Sequence, residues 1–200
     1  MSHRLFICVM VAGLLATVSA QEGAMGSGQP SAQASAQTMS SGLSAADKKF
    51  VREAAEGGMA EVELGQLAVQ KASSDDVKKF GQRMVDDHSK ANDKLKELAS
   101  GKGINLPSSP NAKQEATKDR LSKLSGDEFD KAYMRDMLQD HKQDVAAFRM
   151  ESKTGRDADV KSFAAQTLPT IQDHLKEAQN ITPKVLQARG TTVAPSASQQ

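Results

Sequence analysis

From residue 44 onward, apolar residues recur every three to four positions in four long stretches, the spacing of helices that each bury one face. The first opens at Ser44, where Asp47 three residues on predicts a capping box. Its inward stripe reads Val51, Ala54, Gly58, Glu61, Val62, Gly65, Ala68, Val69 and Ala72. Each glycine costs roughly 1 kcal/mol of helix propensity, so the stripe makes sense only where another helix crosses closely. The second stretch begins near Ser74, with Asp75 and Asp76 at the positive end of the helix dipole. It carries Val77, Phe80, Met84, His88, Ala91, Leu95 and Leu98 and ends at Gly101 and Gly103.

The third stretch follows Ser125-Gly126-Asp127 with Tyr133, Met134, Met137, His141, Val145 and Phe148. The fourth follows Gly155 with Val160, Ala164, Leu168, Ile171, His174, Leu175 and Ala178. Pro169 lies inside it and predicts a kink or a break. Short connections near Ser73 and Gly155 imply antiparallel neighbours. Residues 104–124, with Pro107, Pro110 and a short helical pattern over 111–124, form a connection much longer than the usual turn of about 2–8 residues. These features predict an all-α fold: a four-helix bundle whose long connection between helices 2 and 3 contains a short helix and can run the length of the bundle, as in ferritin-like folds.

The ends read differently. Arg4, the apolar run Leu5 to Leu15 and the small residues Val18-Ser19-Ala20 predict a signal peptide over 1–20. Residues 21–43, rich in Gly, Ser, Ala and Gln, read as a flexible linker, 44–182 as the helical domain, and 183–200 as a C-terminal tail. Cys8, the one cysteine of the chain, falls in the signal, so the mature protein is expected to be exported, periplasmic or secreted, and free of disulfides. Removing Arg4 leaves 25 basic residues of the 26, against 25 acidic ones. This even, interspersed balance argues against a nucleic-acid surface. With 26% charged and 38% hydrophobic residues, the mature sequence offers no transmembrane segment.

The candidate chemistry is a cluster. Of four histidines, three belong to the mature chain, and His88, His141 and His174 each fall in an apolar stripe of a different helix. The remaining helix contributes Glu61 to its stripe, while Glu53, Glu56 and Glu63 point elsewhere. At 1.5 Å per residue, Glu61 and His88 lie roughly 18 and 22 Å from the first turn, and His141 and His174 roughly 21 and 28 Å from the last. The four side chains can therefore reach a common level. A buried carboxylate without a partner is costly, and imidazole with carboxylate suits Zn, Fe, Mn or Cu.

The expected metal ligands are Glu61, His88, His141 and His174, with Asp144, one turn past His141, as a further ligand or an orienting partner. Met84 and Met137, each four residues before a stripe histidine, could suit copper or simply fill the core. An Asp-His pair recurs at 87–88, 140–141 and 173–174. The paired Glu-x-x-His motifs of di-iron bundles are missing, since Val85, Leu138 and Ile171 stand three before the histidines.

Glu61-Val62-Glu63-Leu64-Gly65-Gln66-Leu67-Ala68, Met84-Val85-Asp86-Asp87-His88, Phe129-Asp130-Lys131-Ala132-Tyr133 with His141, and Leu168-Pro169 followed by His174-Leu175 give a resemblance over about 46–181. The chain resembles exported bacterial ferritin-like proteins grouped as a domain of unknown function and labelled outer-membrane or secreted proteins. The resemblance implies a ferritin-like four-helix fold and an envelope or extracellular location, and supplies no activity. The leading expectation is an exported bundle that binds a metal ion, for metal handling or stress protection. The alternative is a non-catalytic envelope interaction or scaffold module in which the His/Glu cluster is a structural network. A redox enzyme ranks third, and no catalytic residue is assigned.

Overall fold

The structure is a computed structural model that describes residues 43–187. The expected signal peptide, the linker up to residue 42 and the tail beyond residue 187 lie outside the described residues. The described part is all-helical: α1 (Ala45–Lys71), α2 (Asp75–Gly101), α3 (Ala112–Ser122), α4 (Gly126–Thr154) and α5 (Ala158–Gln187).

Each long helix lies beside two others. α1 packs mainly on α2 and α4 mainly on α5, while α1–α4 and α2–α5 contacts close the ring. Two carboxylates set the register at opposite ends. Asp47, in the first turn of α1, caps its own helix by accepting Ser44 N–H at 2.9 Å, while Ser44 Oγ accepts Asp47 N–H at 3.0 Å. Asp47 also reaches across to accept Arg156 N–H at 3.0 Å and Asp157 N–H at 3.2 Å in the α4–α5 turn. Asp130, near the start of α4, does the reciprocal job at the α1–α2 turn. It accepts Ser73 N–H at 3.2 Å, Ser73 Oγ–H at 2.7 Å and Ser74 N–H at 2.8 Å. The two hairpins thus clamp each other's turns, and every neighbouring pair of long helices runs antiparallel.

This topology leaves α2 and α4 pointing the same way, so the chain must travel the full length between them. α3 makes part of that journey parallel to α1: Asn111 Nδ2 donates to Glu56 at 3.1 Å and Lys118 pairs with Glu63 at 2.8 Å. Its capping box is built by Asn111 and Gln114, Arg120 pairs with Asp136 of α4, and Leu121 is fully buried.

The glycines of α1 do face a close crossing. A Cβ on Gly65 would lie 2.6 Å from the Gly81 carbonyl oxygen, and one on Gly58 would collide with the Asn92 side chain. α1 and α2 therefore touch backbone to backbone one turn from Glu61.

The expected stripe of α1 needs correction. Val69 is 39% exposed and Val62 only half-buried, whereas Phe50 and Leu64 point inward. The close approach of α2 rotates the buried face toward these bulkier residues. α5 also differs: it runs unbroken through Pro169 and Pro183 to Gln187, past the expected boundary at 182. Both prolines are exposed, and so are Ala165 and Gln179, whose carbonyls they leave unbonded, so water can satisfy them.

The interior is layered along its axis. One apolar cluster joins Leu64, Ala68, Phe80, Met84, Phe129, Tyr133, Met137 and Ile181. A second joins Phe50, Val51, Leu95, Val145, Phe148, Phe163 and Ile171. On every long helix one buried polar residue, Glu61, His88, His141 or His174, falls between the two. Met84 and Met137 belong to the first cluster, as core filling.

Asp47 and Asp130 are 1% and 2% exposed and satisfy backbone donors that nothing else reaches. Asp47→Ala and Asp130→Ala should each cost about 1–3 kcal/mol in urea unfolding, with helix content retained.

Beside Asp47 lies Glu151, also buried. Burial, then the neighbouring Asp47 carboxylate, push Glu151 up to about 7. Its folded value exceeds the unfolded one of 4.5, so its contribution is intact below that value and is lost as pH rises through about 7. The wild type should lose stability between about pH 5 and 8, and Glu151→Gln should flatten that slope in melting experiments.

Candidate metal centre

Between the two apolar clusters, α1 contributes Glu61, α2 His88, α4 His141 and α5 His174. His141 and His174 are fully buried, and Glu61 and His88 are 6% and 7% exposed. The three imidazoles pack together, with ring centroids 5.9 Å (His88–His141), 5.3 Å (His88–His174) and 5.4 Å (His141–His174) apart. One nitrogen from each lies within 4.8 Å of the others. Phe80 closes one side with its ring 6.1 Å from His141 and 6.5 Å from His174.

Each ring has one nitrogen engaged and one free. His88 Nδ1 lies 3.0 Å from Glu61 Oε2. His141 Nδ1 lies 2.9 Å from the Met137 carbonyl one turn earlier, and a carbonyl can only accept, so this nitrogen carries the proton. His174 Nε2 lies 3.0 Å from Asp87 Oδ2 of α2, and Asp87 is itself held by Arg83 at 3.3 Å. The opposite nitrogens, His88 Nε2, His141 Nε2 and His174 Nδ1, are buried with no hydrogen-bond partner among the described residues. Outer carboxylate or carbonyl anchors that fix the tautomer and aim a lone pair inward are the arrangement seen around metal-bound histidines.

Electrostatics keeps two of these lone pairs free. Burial, against the pull of Asp87, pushes His174 down to about 4. Burial also lowers His141, despite Glu61. His88 behaves oppositely: burial works to lower it, but the charge and hydrogen bond of Glu61 raise it. Burial works to raise Glu61, and the adjacent His88, followed by His141, keeps it below the ordinary carboxylate range.

Asp144, half-buried on α4, completes a second grouping: one ligand atom each from Glu61, His141 and Asp144 lies within 4.8 Å of the others. Burial, then the charges of Glu61 and Asp140, push Asp144 well above the usual range. The same burial and Glu61 push Asp140 up to about 6. A cavity of about 490 Å³ under α3 reaches this layer; its lining includes Glu56, Glu61, His88, Asn92, Asp140 and Asp144.

The five residues singled out from the sequence, Glu61, His88, His141, His174 and Asp144, all fall in this one layer. Their anchors were not foreseen. The Asp-His repeat does not pair neighbours: Asp87 serves His174 on another helix, and Asp173 is exposed. The Met137 carbonyl was in principle legible, since an imidazole Nδ1 readily meets the carbonyl four residues earlier.

In metal-free protein, ring nitrogen shifts should show His174 neutral at pH 7 with its proton on Nε2, and charging only near pH 4. Its folded value is depressed from 6.5 to about 4, so the associated stability is present above 6.5 and lost as pH falls toward 4. A His174 that titrates near its ordinary value would contradict this burial and tautomer.

Among the described residues, no helix is long and apolar enough to cross a membrane. No curated protein matches the chain. Among solved structures, a DUF305 fragment from Deinococcus radiodurans superposes with a TM-score of 0.62 at 14% identity, covering 72% of this chain and 99% of that one. A candidate spore coat protein from Bacillus halodurans C-125 gives 0.56 at 13% identity, covering 72% and 89%. These likenesses support the helical fold alone. Residues 30–181 match the family described as Domain of unknown function (DUF4142), and the chain belongs to that family.

Proposed function

We propose that this is an exported protein, periplasmic or secreted, whose long helices form a ferritin-like four-helix bundle around one divalent transition metal, in the service of metal handling or stress protection. The export reading rests on residues 1–20 of the sequence. The metal reading rests on one observation: three buried imidazoles, each anchored through one nitrogen and each with the other unpartnered among the described residues, bring one nitrogen apiece within 4.8 Å of one another.

His88, His141 and His174 would donate those nitrogens. Glu61 would orient His88 and offer Oε1 as an oxygen donor, and Asp87 would orient His174. Of the metals that suit imidazole and carboxylate, Zn, Fe, Mn and Cu, this nitrogen-rich set fits Zn²⁺ or Cu²⁺ best. Bound metal would supply charge to a dry interior and tie four separate helices together.

The His88–Glu61 ion pair favours a second reading, a non-catalytic envelope or scaffold module whose network is held by a proton alone. Elemental analysis of protein purified without a histidine tag separates the two. The metal reading expects near one Zn or Cu per chain. Saturation at about a thousand times Kd should stabilise the fold by roughly 4 kcal/mol. Asp87→Asn should weaken binding about 10–100-fold. Sub-stoichiometric metal, with melting unchanged by added Zn²⁺, Cu²⁺, Fe²⁺ or Mn²⁺, would leave the scaffold reading in its place.

A further inference from the structure

Glu61 Oε1 and His141 Nε2 are buried, lack a hydrogen-bond partner among the described residues and stand 3.6 Å apart. Neither atom is occupied in anchoring an imidazole. His88 rests on Oε2 of Glu61, and the Met137 carbonyl holds Nδ1 of His141. Two buried acceptors held 3.6 Å apart repel unless a positive centre lies between them. Asp144 adds a third donor to this pair. Glu61, Asp144 and the edge of His88 line the cavity under α3, whereas His141 and His174 do not.

We propose that Glu61, Asp144 and His141 form an outer cation site at the floor of the cavity, the entry station for a divalent ion on its way to the three imidazoles. The inference rests on the metal-binding reading above. The two sites exclude each other, because His141 has a single free lone pair and both sites need it. Two carboxylates make the outer site the harder of the two, suited to a partly hydrated ion; the inner site offers three nitrogens and holds softer ions more tightly. Asp140 and Glu56, which also line the cavity, add negative charge along the approach.

Co²⁺ added to metal-free full-length protein tests this, with ligand-field absorption and calorimetric stoichiometry as readouts and circular dichroism to verify folding. Wild type should bind one ion. His174→Ala removes a donor from the inner site alone, and should still bind one ion, more weakly and with the fainter absorption of higher coordination. Combining His174→Ala with Asp144→Asn should abolish binding. In stopped flow, Asp144→Asn alone should slow uptake by roughly tenfold or more. A wild type that takes up no Co²⁺ removes the inner site and the outer one together. One ion in wild type and none in folded His174→Ala removes the outer site and leaves the inner one standing. Two ions held at once by wild type overturn the mutual exclusion. Should His174→Ala fail to fold, an unchanged uptake rate in Asp144→Asn overturns the entry role.

Discussion

A buried ring nitrogen without a partner is expensive, and the interior of this protein gathers three imidazoles, each with one such nitrogen, in a layer only one side chain thick. Apolar clusters flank that layer: Phe80, Met84 and Met137 on one side, Leu95, Phe148 and Ile171 on the other. Hydrocarbon cannot satisfy the imidazoles, so whatever does must come from within the layer. Glu61, Asp87 and the Met137 carbonyl satisfy one nitrogen of each ring. A cation that accepts their electron pairs would satisfy the remaining three at once.

Holding such a layer in register demands tight control of how the helices slide past one another. A single turn of slippage, 5.4 Å, would carry any one of the four side chains into hydrocarbon. Three devices prevent it. The backbone contact at Gly65 and Gly81 fixes α1 on α2. Asp47 and Asp130 fix each hairpin on the turn of the other, at opposite ends. α3 then straps α1 to α4 through Glu63 and Asp136. Polar clamps at the ends and a glycine contact near the middle thus do what the apolar clusters cannot, since Ala, Leu and Met surfaces tolerate sliding far better than directed hydrogen bonds do.

Much of this was legible in the sequence because helical periodicity is a local property. The stripes of α2 and α4 carry His88 and His141 at the depth expected, and the Ser44–Asp47 box forms as its spacing implied. Misreadings arose where a neighbouring helix decides the outcome. Val69 fits the period of α1 as well as Leu64 does, and only the crossing at Gly65 determines which faces inward. Proline kinks or breaks helices in general, yet here the Ala165 carbonyl that Pro169 leaves unbonded lies on an exposed face and the helix runs on unbroken. The recurring Asp-His pair carries no contact between neighbours, because adjacent residues on a helix point about 100° apart, and Asp87 turns away from His88. Its real partner is His174, a contact that bridges two helices and leaves no trace in spacing. The clamp formed by Asp130 is invisible for the same reason.

The choice between a metal and a bare proton turns on how the two neutralise the layer. Glu61 is an ionised carboxylate in the interior and requires one compensating positive charge. A proton on His88 supplies it, but it leaves His141 and His174 neutral, with at most one ring nitrogen able to receive a hydrogen bond from His88 Nε2. One lone pair then remains without a donor among the described residues, while the raised carboxyl of Asp144 can donate to Glu61. A structural network shaped only for stability would replace these groups with hydrocarbon or supply them with donors, because a half-satisfied polar cluster is worse than an apolar core. The arrangement found is well made in its outer half, where every anchor is present, while in its inner half two acceptors, His141 Nε2 and Glu61 Oε1, stand 3.6 Å apart. A cation at the proposed site would relieve that repulsion.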